Sequence, residues 1–160
     1  MRIPNPRPES AVYWTDAVQR ALSLYEALWV PADTDSRLLW VDDPEEATFA
    51  PYDHGENLVG LDLISSHLAV RCAAQALESV RWQPCRSWCM GRSDLSVVKQ
   101  QLWTIDRRSG TREAREHVLV IATSGNGEDA RLRHVAEATP AVLVEAVQSY
   151  ERHARFAGDP

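Results

Sequence analysis

The first regular pattern along the chain is a stripe of apolar residues at helical spacing. It comprises Trp14, Val18, Ala21, Leu22, Tyr25, Leu28 and Trp29. Ser10 offers a side-chain cap before the stripe, and Pro31 follows its end. The pattern predicts a first helix over residues 10–30. Three prolines before Ser10 predict an extended N-terminal arm over residues 1–9.

Two short segments with strand-forming residues follow this helix. They are Arg37–Val41 and Ala47–Tyr52, and the acidic, turn-forming segment Asp42–Glu46 separates them. Short β-rich runs on either side of a turn are typical of a hairpin. We therefore predict a first β-hairpin from these two segments.

The longest apolar region of the chain runs from Leu58 to Val80. One helical face carries Leu61, Ile64, Leu68, Cys72 and Ala76, and Leu63, Val70 and Leu77 widen the apolar surface. A helix that is apolar nearly all round belongs in a core. Asp53 and Glu56 have the spacing of a capping box ahead of it. The sequence predicts a single core helix here, the most buried helix of the protein.

A second hairpin is indicated in the latter half of the chain. Residues 95–105 and 114–123 have the composition of long strands, and Ser109-Gly110 suits the turn between them. Residues 82–92, bounded by Pro84 and Gly91, have no regular pattern. Beyond Gly125-Asn-Gly127 we predict a short helical stretch over 129–137. Thr139-Pro140 then predicts the start of a last helix.

The predicted element order is α-ββ-α-ββ-α. This order makes the fold class α+β, with an antiparallel sheet built from two hairpins and three main helices packed on it. The chain has 160 residues, of which 44% are hydrophobic, so one core can be buried without disulfides. We expect a single domain over residues 10–157.

Charge and hydropathy narrow the possible partners. The formal net charge of -6 disfavours nucleic acid, because the protein as a whole repels phosphates. No apolar run reaches the roughly 20 residues needed to span a bilayer, and the start lacks the apolar segment of a signal peptide. The expected location is the cytoplasm, and the expected partner is another protein or a second copy of the chain.

Two of the three cysteines and one histidine provide a candidate metal site. Cys72, Cys85 and Cys89 are odd in number, which favours free thiols or metal ligands over a structural disulfide. His54-Gly-Glu56 precedes Pro84-Cys85-Arg-Ser-Trp-Cys89. One imidazole and two thiolates leave a zinc ion an open position for water, and a nearby glutamate can move the proton of that water.

This spacing resembles the signature of zinc-dependent nucleoside and nucleobase deaminases. The resemblance implies zinc ligands at His54, Cys85 and Cys89, with Glu56 as the general acid/base. A purely structural zinc with His67 as a fourth ligand is a variant of it. The alternative interpretation gives Glu56 a capping role, leaves His54 on the surface and makes the cysteines packing residues.

Three further features are candidates for binding. Gly125-Asn-Gly127 lies where backbone amides could hold a phosphate, but Glu128 and Asp129 follow it and a plain turn is the preferred interpretation. The second hairpin tip carries four arginines, Arg107, Arg108, Arg112 and Arg115, which could grip phosphates or an acidic partner, although acidic neighbours dilute them. Of the six tryptophans, Trp82 and Trp88 are candidates for a contact surface.

The sequence favours a small non-enzymatic accessory protein that acts through protein–protein contact. This preference follows from the lack of a complete catalytic constellation, and no cofactor is expected. The alternatives are a zinc-dependent deaminase-like hydrolase and, third, a nucleic-acid-binding module that uses the Arg107–Arg115 hairpin.

Overall fold

A computed structural model describes residues 14–30, 36–43, 45–90, 93–125 and 127–139. Its α helices are α1 (Asp16–Ala27) and α2 (Leu61–Ala74), and single 3₁₀ turns lie at Ser36–Leu39 and Gly127–Asp129. Its strands are β1 (Thr48–Ala50), β2 (Leu58–Val59), β3 (Gln75–Met90), β4 (Ser93–Asp106), β5 (Arg112–Ser124) and β6 (Arg131–Ala138).

The six strands form one mixed sheet in the order β2-β1-β6-β5-β4-β3. β1 runs parallel to β6, and every other neighbouring pair is antiparallel. β3, β4 and β5 are much longer than β1 and β2, so they form an extended meander at one side of the sheet. Both helices pack on the same face, which we call the inner face.

The main core lies between the helices and the inner face. α1 contributes Val18, Leu22 and Tyr25, and α2 contributes Ile64 and Leu68. The sheet side is built from alternate residues of the long strands, as the two-residue period of a strand requires: Val98, Leu102, Leu119, Ile121 and Val135. The intervening residues point to the outer face and form a second buried cluster there: Leu95, Val97, Val118, Val120, Ala122 and Ala136.

The first predicted helix is confirmed over Asp16–Ala27. Its N-cap is Thr15, whose Oγ1 accepts a hydrogen bond of 3.2 Å from the Val18 amide. This satisfies one of the amides that have no partner in the first turn of a helix. The predicted cap at Ser10 and the arm over 1–9 lie outside the described residues.

The first predicted hairpin is wrong in its pairing. Ser36–Leu39 is a 3₁₀ turn, and Trp40 makes an isolated parallel bridge to Leu132. The second half of the prediction is confirmed as β1, which pairs with β2 and with β6. Trp40 and Val41 are buried in the main core, and their burial does not require a hairpin.

The single core helix predicted over Leu58–Val80 is also wrong. It contains a short strand, a helix and the start of a long strand, and α2 begins after the N-cap Gly60, so the capping box predicted from Asp53 and Glu56 caps no helix. Gln75 is already extended, at φ −145° and ψ 150°. Apolar residues that continue past Ala74 fit a half-buried strand as well as a helix, and pairing with β4 decides the outcome.

The same pairing makes a strand of residues 82–90, which belong to the segment 82–92 predicted to be irregular. β3 extends to Met90 and accommodates Pro84 beside a register shift. The helical stretch predicted over 129–137 is strand β6, whose residues pair with β5 and β1. The second hairpin is confirmed as β4 and β5, with Gly110 at φ +71° in its turn.

The fold class α+β is confirmed in its coarse form. The sheet is mixed rather than a purely antiparallel assembly of two hairpins, and the described residues hold two α helices rather than three. The last helix, predicted to begin at Thr139-Pro140, lies outside those residues. The single domain over 10–157 stays a prediction.

Candidate functional site

A buried ion pair lies between α2 and the inner face of the sheet. The guanidinium of Arg71 donates from Nη1 to Glu137 Oε1 at 2.8 Å and from Nη2 to Glu137 Oε2 at 2.5 Å. Both side chains are almost fully shielded from solvent. Such a two-point contact is the strongest arrangement available to these groups, and burial without it would be very costly.

Residues of α1 and β4 extend this ion pair into a network. The Tyr25 hydroxyl donates to Glu137 Oε2, and the Gln100 amide donates to the same hydroxyl at 3.2 Å. Gln100 Oε1 in turn accepts from Trp82 Nε1 at 2.9 Å. Burial, followed by the nearby Glu137 carboxylate, raises the pKa of Tyr25 well above its ordinary value, so its hydroxyl stays protonated and donates.

The charge of Arg71 is fixed by the same contacts. Burial alone pulls the pKa of Arg71 down, but the Glu137 carboxylate outweighs burial and raises it. The guanidinium also lies 3.8 Å from the centre of the Trp29 ring, a favourable cation–π distance. Arg71 therefore keeps its charge in the folded protein.

A second layer of the network surrounds Tyr52. Its backbone amide donates to Glu137 Oε1 at 3.3 Å, and its ring stacks on His117 with 4.7 Å between ring centres. His117 is buried, and its Nδ1 has no hydrogen-bond partner. Burial lowers the pKa of His117. The Glu137 carboxylate raises this pKa in part, and the charges of Arg115 and Arg71 lower it further. The imidazole is thus held neutral.

Of the residues in this network, only Trp82 was a candidate site residue in the sequence, and there as part of a contact surface. One signal was available for two of them: Arg71 falls on the apolar face of α2 between Leu68 and Cys72, and Glu137 lies among apolar residues of β6. A charged residue at a core position usually has a buried partner of opposite charge. Nothing in the sequence paired these two, because they come from distant elements.

The zinc-deaminase interpretation is wrong. No cluster of three or more potential metal ligands occurs among the residues that the structure describes. His54 and Glu56 lie in the exposed loop after β1, where His54 Nδ1 contacts the Glu56 backbone. His67, the suggested fourth ligand, has its Nε2 3.0 Å from Asp53 Oδ1 instead.

The two cysteines of that motif lie far along β3. The loop after β1 touches the start of β3, where Tyr52 contacts Gln75. Cys85 lies ten residues further, about 33 Å away along an extended strand, and Cys89 is another four residues beyond it. Cys85 packs on the outer cluster and Cys89 is exposed. A strand in place of the expected helix therefore separates the proposed ligands.

The hairpin arginines do not form a single patch. Arg107 lies at the C-terminal end of α2, where its Nε donates to Cys72 O at 2.8 Å, and Arg108 is exposed in the turn. Arg112 bonds Glu78 and lies over Trp103, whereas Arg115 bonds Glu113 and lies over Tyr52. Successive side chains of a strand point to opposite faces of the sheet. Arg112 and Arg115 are three residues apart, so they point to opposite faces.

The predicted phosphate cradle and tryptophan surface can also be located. Gly125 precedes a 3₁₀ turn that begins at Gly127 and leads into β6, so no α helix begins there to offer its amide end. Trp82 packs on the main core, and Trp88 packs on the outer cluster beside Arg86. These two tryptophans therefore lie on opposite faces of the sheet.

The outer surface of α2 exposes two large apolar side chains. Leu63 is 58% exposed and Val70 is 70% exposed. We define the outer α2 face by its exposed residues Asp62, Leu63, Ser66, Ala69, Val70 and Ala73. Asp62 is the only charged member. The opposite side of α2 is buried in the core, so the helix is apolar on both sides.

A cleft of about 360 Å³ lies between the end of α1 and the start of β3. Trp29, Val30, Leu77 and Val80 form its apolar walls, and Glu26, Glu78 and Arg107 add charge. Trp29 also carries the Arg71 guanidinium on its ring, so the cleft and the buried network share one side chain.

The described helices include none that is long and apolar enough to cross a membrane. No protein-family model matches this sequence, and no curated protein does. Solved structures do match the fold. One is a ketosteroid isomerase-like protein from Erwinia carotovora atroseptica, with a TM-score of 0.61 and 8% sequence identity, covering 84% of this chain and 98% of that chain.

Two further structures agree with this match. A nuclear transport factor 2-like (NTF2-like) superfamily protein from Salmonella enterica has a TM-score of 0.60 and 15% identity over 82% of this chain and 93% of its own. A candidate calcium/calmodulin-dependent protein kinase type II association domain from Thiobacillus denitrificans has a TM-score of 0.56 and 14% identity, covering 86% of this chain and 98% of its own. None of these is a deaminase, and together they show that this chain has the NTF2-like fold.

Proposed function

We propose that this chain is a binding protein that acts through contact with another protein rather than through catalysis. The observation that carries the proposal is the exposed apolar surface of α2, where Leu63 and Val70 are both more than half exposed. Exposure of large apolar side chains on one helix face costs free energy in water, and such faces are used for contacts.

The buried network supports a structural role rather than a catalytic one. A general base needs a lone pair directed at its substrate. Both oxygens of Glu137 are instead occupied: Oε1 accepts from Arg71 and the Tyr52 amide, and Oε2 accepts from Arg71 and the Tyr25 hydroxyl. A carboxylate has about four acceptor sites, so these four donors fill it. Glu137 therefore acts as an anchor that ties α1, α2 and β6 together.

The structural neighbours are consistent with contact as the function but do not select it. One is described as an association domain and another as isomerase-like. One fold can host both roles, so the choice rests on this chain's own residues. Two further expectations stay predictions: that the protein needs no cofactor and that it works in the cytoplasm. The dispersed hairpin arginines do not favour nucleic acid as the partner.

The cleft beside Trp29 gives a second candidate function, the binding of a small molecule. A volume of about 360 Å³ falls within the usual range of ligand pockets. Glu78 at the edge is bonded to Arg112 and Arg107 to the Cys72 carbonyl, so Glu26 is the acceptor that the cleft offers to an aromatic amine beside its apolar walls. Thermal-shift screening of aromatic amines, with Trp29→Ala as the control, tests it: stabilisation of the parent protein that the variant lacks supports this candidate.

Site-specific photo-crosslinking in native host cells tests the main proposal. A photoreactive residue replaces Val70, and a matched protein carries it at Val30, an exposed valine that lies off α2. We expect covalent protein adducts at position 70 and few at position 30. Equal yields at the two positions, or no adduct at position 70, would contradict a contact role for α2.

A further inference from the structure

We infer that the cleft beside Trp29 binds a short peptide with free termini, which lies along β3 as an added antiparallel strand. This inference rests on the second candidate function, the binding of a small molecule in the cleft, and names the class of that molecule. Three features of the cleft carry it: the open edge of β3, two charges of opposite sign, and the apolar wall.

One side of the cleft is the edge of a strand. Residues 76–80 of β3 line the cleft, and β3 is the last strand of the sheet, with β4 as its neighbour among the described strands. Alternate backbone N–H and C=O groups of an edge strand point away from its neighbour. The register shift between Leu77 and Ser79 also leaves Glu78 without a partner on β4. The cleft therefore offers backbone donors and acceptors that bind an extended peptide by strand addition.

Two charged side chains of opposite sign line the same cleft. Glu26 is exposed near the end of α1, and Arg107 is exposed at the other side. The Arg107 guanidinium uses its Nε for the Cys72 carbonyl, so its two Nη groups keep donors for a carboxylate. A short peptide with free termini carries one ammonium and one carboxylate. These two groups complement Glu26 and Arg107.

The position of Arg107 selects the direction of the peptide. The Arg107 backbone amide donates to the Ala74 carbonyl at 2.9 Å, so Arg107 lies beside the start of β3. A peptide that runs antiparallel to β3 has its C-terminus at this point, whereas a parallel peptide would bring its ammonium there. The antiparallel direction therefore pairs the peptide carboxylate with Arg107 and leaves the ammonium for Glu26.

The apolar wall and the volume of the cleft select the side chain and the length of the peptide. Trp29 and Val30 face Leu77 and Val80 across the cleft, and Val30 is 49% exposed. The volume of about 360 Å³ lies at the low end of the range of ligand pockets. Three residues of a strand span about 10 Å. We therefore expect a tripeptide with a large apolar central residue rather than a protein segment, so position 30 should still give few protein adducts.

Isothermal titration calorimetry of the full chain with the tripeptide Ala-Phe-Ala is the first part of the test. Acetylation of its N-terminus together with amidation of its C-terminus should weaken binding about tenfold or more, because both charge contacts are lost. Phenethylamine, which keeps only the ring and an ammonium, should also bind more weakly than the tripeptide. Equal affinities of the free and the blocked tripeptide would overturn the recognition of the termini.

Two N-methylated forms of the tripeptide test strand addition. One carries the methyl group on the amide nitrogen of its phenylalanine, and the other on that of its last alanine. Successive N–H groups of a strand point to opposite sides, so only one of the two amides faces β3. We expect one form to lose most of its affinity and the other to keep it. Equal affinities of the two forms would overturn the added strand.

Substitution of Arg107 tests the direction of the peptide. Arg107→Gln should weaken the binding of Ala-Phe-Ala about tenfold and leave the affinity for its C-terminal amide unchanged, because only the carboxylate needs the guanidinium. Arg108→Gln, the same change at the next residue of the turn, is the matched control and should leave both affinities unchanged. Thermal unfolding checks that both variants are folded. Equal losses for the acid and the amide in Arg107→Gln would overturn the antiparallel direction.

Glu26→Gln provides the converse test. It should weaken the binding of Ala-Phe-Ala and leave the affinity for the N-acetylated tripeptide unchanged, because only the ammonium needs the carboxylate. Equal losses for both tripeptides would overturn the pairing of the ammonium with Glu26.

The peptide inference and the small-molecule function of the cleft fail in different ways. No binding of Ala-Phe-Ala, Ala-Leu-Ala or Ala-Trp-Ala at up to about 1 mM would overturn the peptide inference. If aromatic amines then still stabilise the parent chain and not Trp29→Ala, the small-molecule function stands with a different ligand. If neither class of ligand binds, the function of the cleft is wrong as well. Crosslinking at position 70 tests the contact function of α2 independently of both.

Discussion

Glu137 on β6 and Arg71 on α2 form a two-point ion pair across the core, although 66 residues separate them in sequence. The pair joins the sheet to a helix whose other side is exposed. It holds α2 in place by charge and geometry, so α2 does not depend on apolar packing alone.

Neutralising one member of this pair should be far more damaging than removing both. We expect Glu137→Gln to lower the free energy of unfolding by about 3–5 kcal/mol, because the Arg71 charge stays buried without its partner. The double variant Arg71→Met, Glu137→Gln should recover much of the loss, since no unpaired charge remains. Urea denaturation measures both values.

The exposed pair formed by Arg115 and Glu113 provides the control for this prediction. Glu113→Gln makes the same chemical change at the surface, where water screens the charges, and should have little effect. A loss from Glu137→Gln no larger than that from Glu113→Gln would mean that the buried pair does not anchor the fold.

Tyr25 should contribute through its hydroxyl as well as its ring. Tyr25→Phe removes one of the two donors to Glu137 Oε2 and leaves the buried Gln100 amide without its acceptor. We expect a loss of about 1–3 kcal/mol in the free energy of unfolding. Tyr52→Phe is the control, because the Tyr52 hydroxyl is bonded only to the half-buried Gln75. Equal losses from both variants would contradict a special role for Tyr25.

The outcome at α2 shows what the sequence could and could not predict. The apolar pattern of residues 61–74 correctly indicated a helix, since its spacing is local. The same pattern suggested burial on every side, and the exposure of Leu63 and Val70 contradicts this. Burial depends on which elements lie alongside, and periodicity carries no information about them.

The network could be predicted only in part, for a similar reason. A charged residue on an apolar helix face, such as Arg71, indicates a buried partner. The identity of the partner carboxylate depends on two non-local features. These are the parallel pairing of β1 with β6 and the packing of α2 on the sheet. The zinc motif was wrong for a related reason. Its spacing along the sequence matched, but strand β3 places Cys85 far from His54. A motif acquires chemistry only from the fold around it.

Two glycines in turns should respond differently to the same substitution. Gly125 has φ +90°, and an added Cβ would lie 2.7 Å from the Asp129 carbonyl oxygen. Gly110 has φ +71° with no atom within 4 Å of such a Cβ. Gly110→Ala should therefore cost about 1–2 kcal/mol for the left-handed backbone alone. Gly125→Ala should cost more because of the clash, as measured by thermal unfolding. Equal losses would show that the turn at Gly125 shifts freely.

His117 should make the stability of the protein depend on pH near neutrality. Burial lowers its pKa below the ordinary value of about 6.5, so the folded protein keeps the imidazole neutral where the unfolded chain takes up a proton. The unfolded state then binds more protons, and the free energy of unfolding must fall as the pH drops below about 6.5. One group contributes at most about 1.4 kcal/mol per pH unit.

The variant His117→Phe isolates this contribution, because a phenyl ring can keep the stacking on Tyr52 but cannot bind a proton. The groups around His117 that also carry charge are Arg115, Arg71, Glu137 and Asp53, and all of them stay in the variant. We expect urea unfolding between pH 7.5 and about 5.5 to give a shallower decline for His117→Phe than for the parent chain. His54→Gln, which removes an exposed histidine, is the matched control. Parallel declines for the parent and His117→Phe would mean that His117 is protonated in the folded protein, and its buried, neutral place beside Tyr52 would then be wrong.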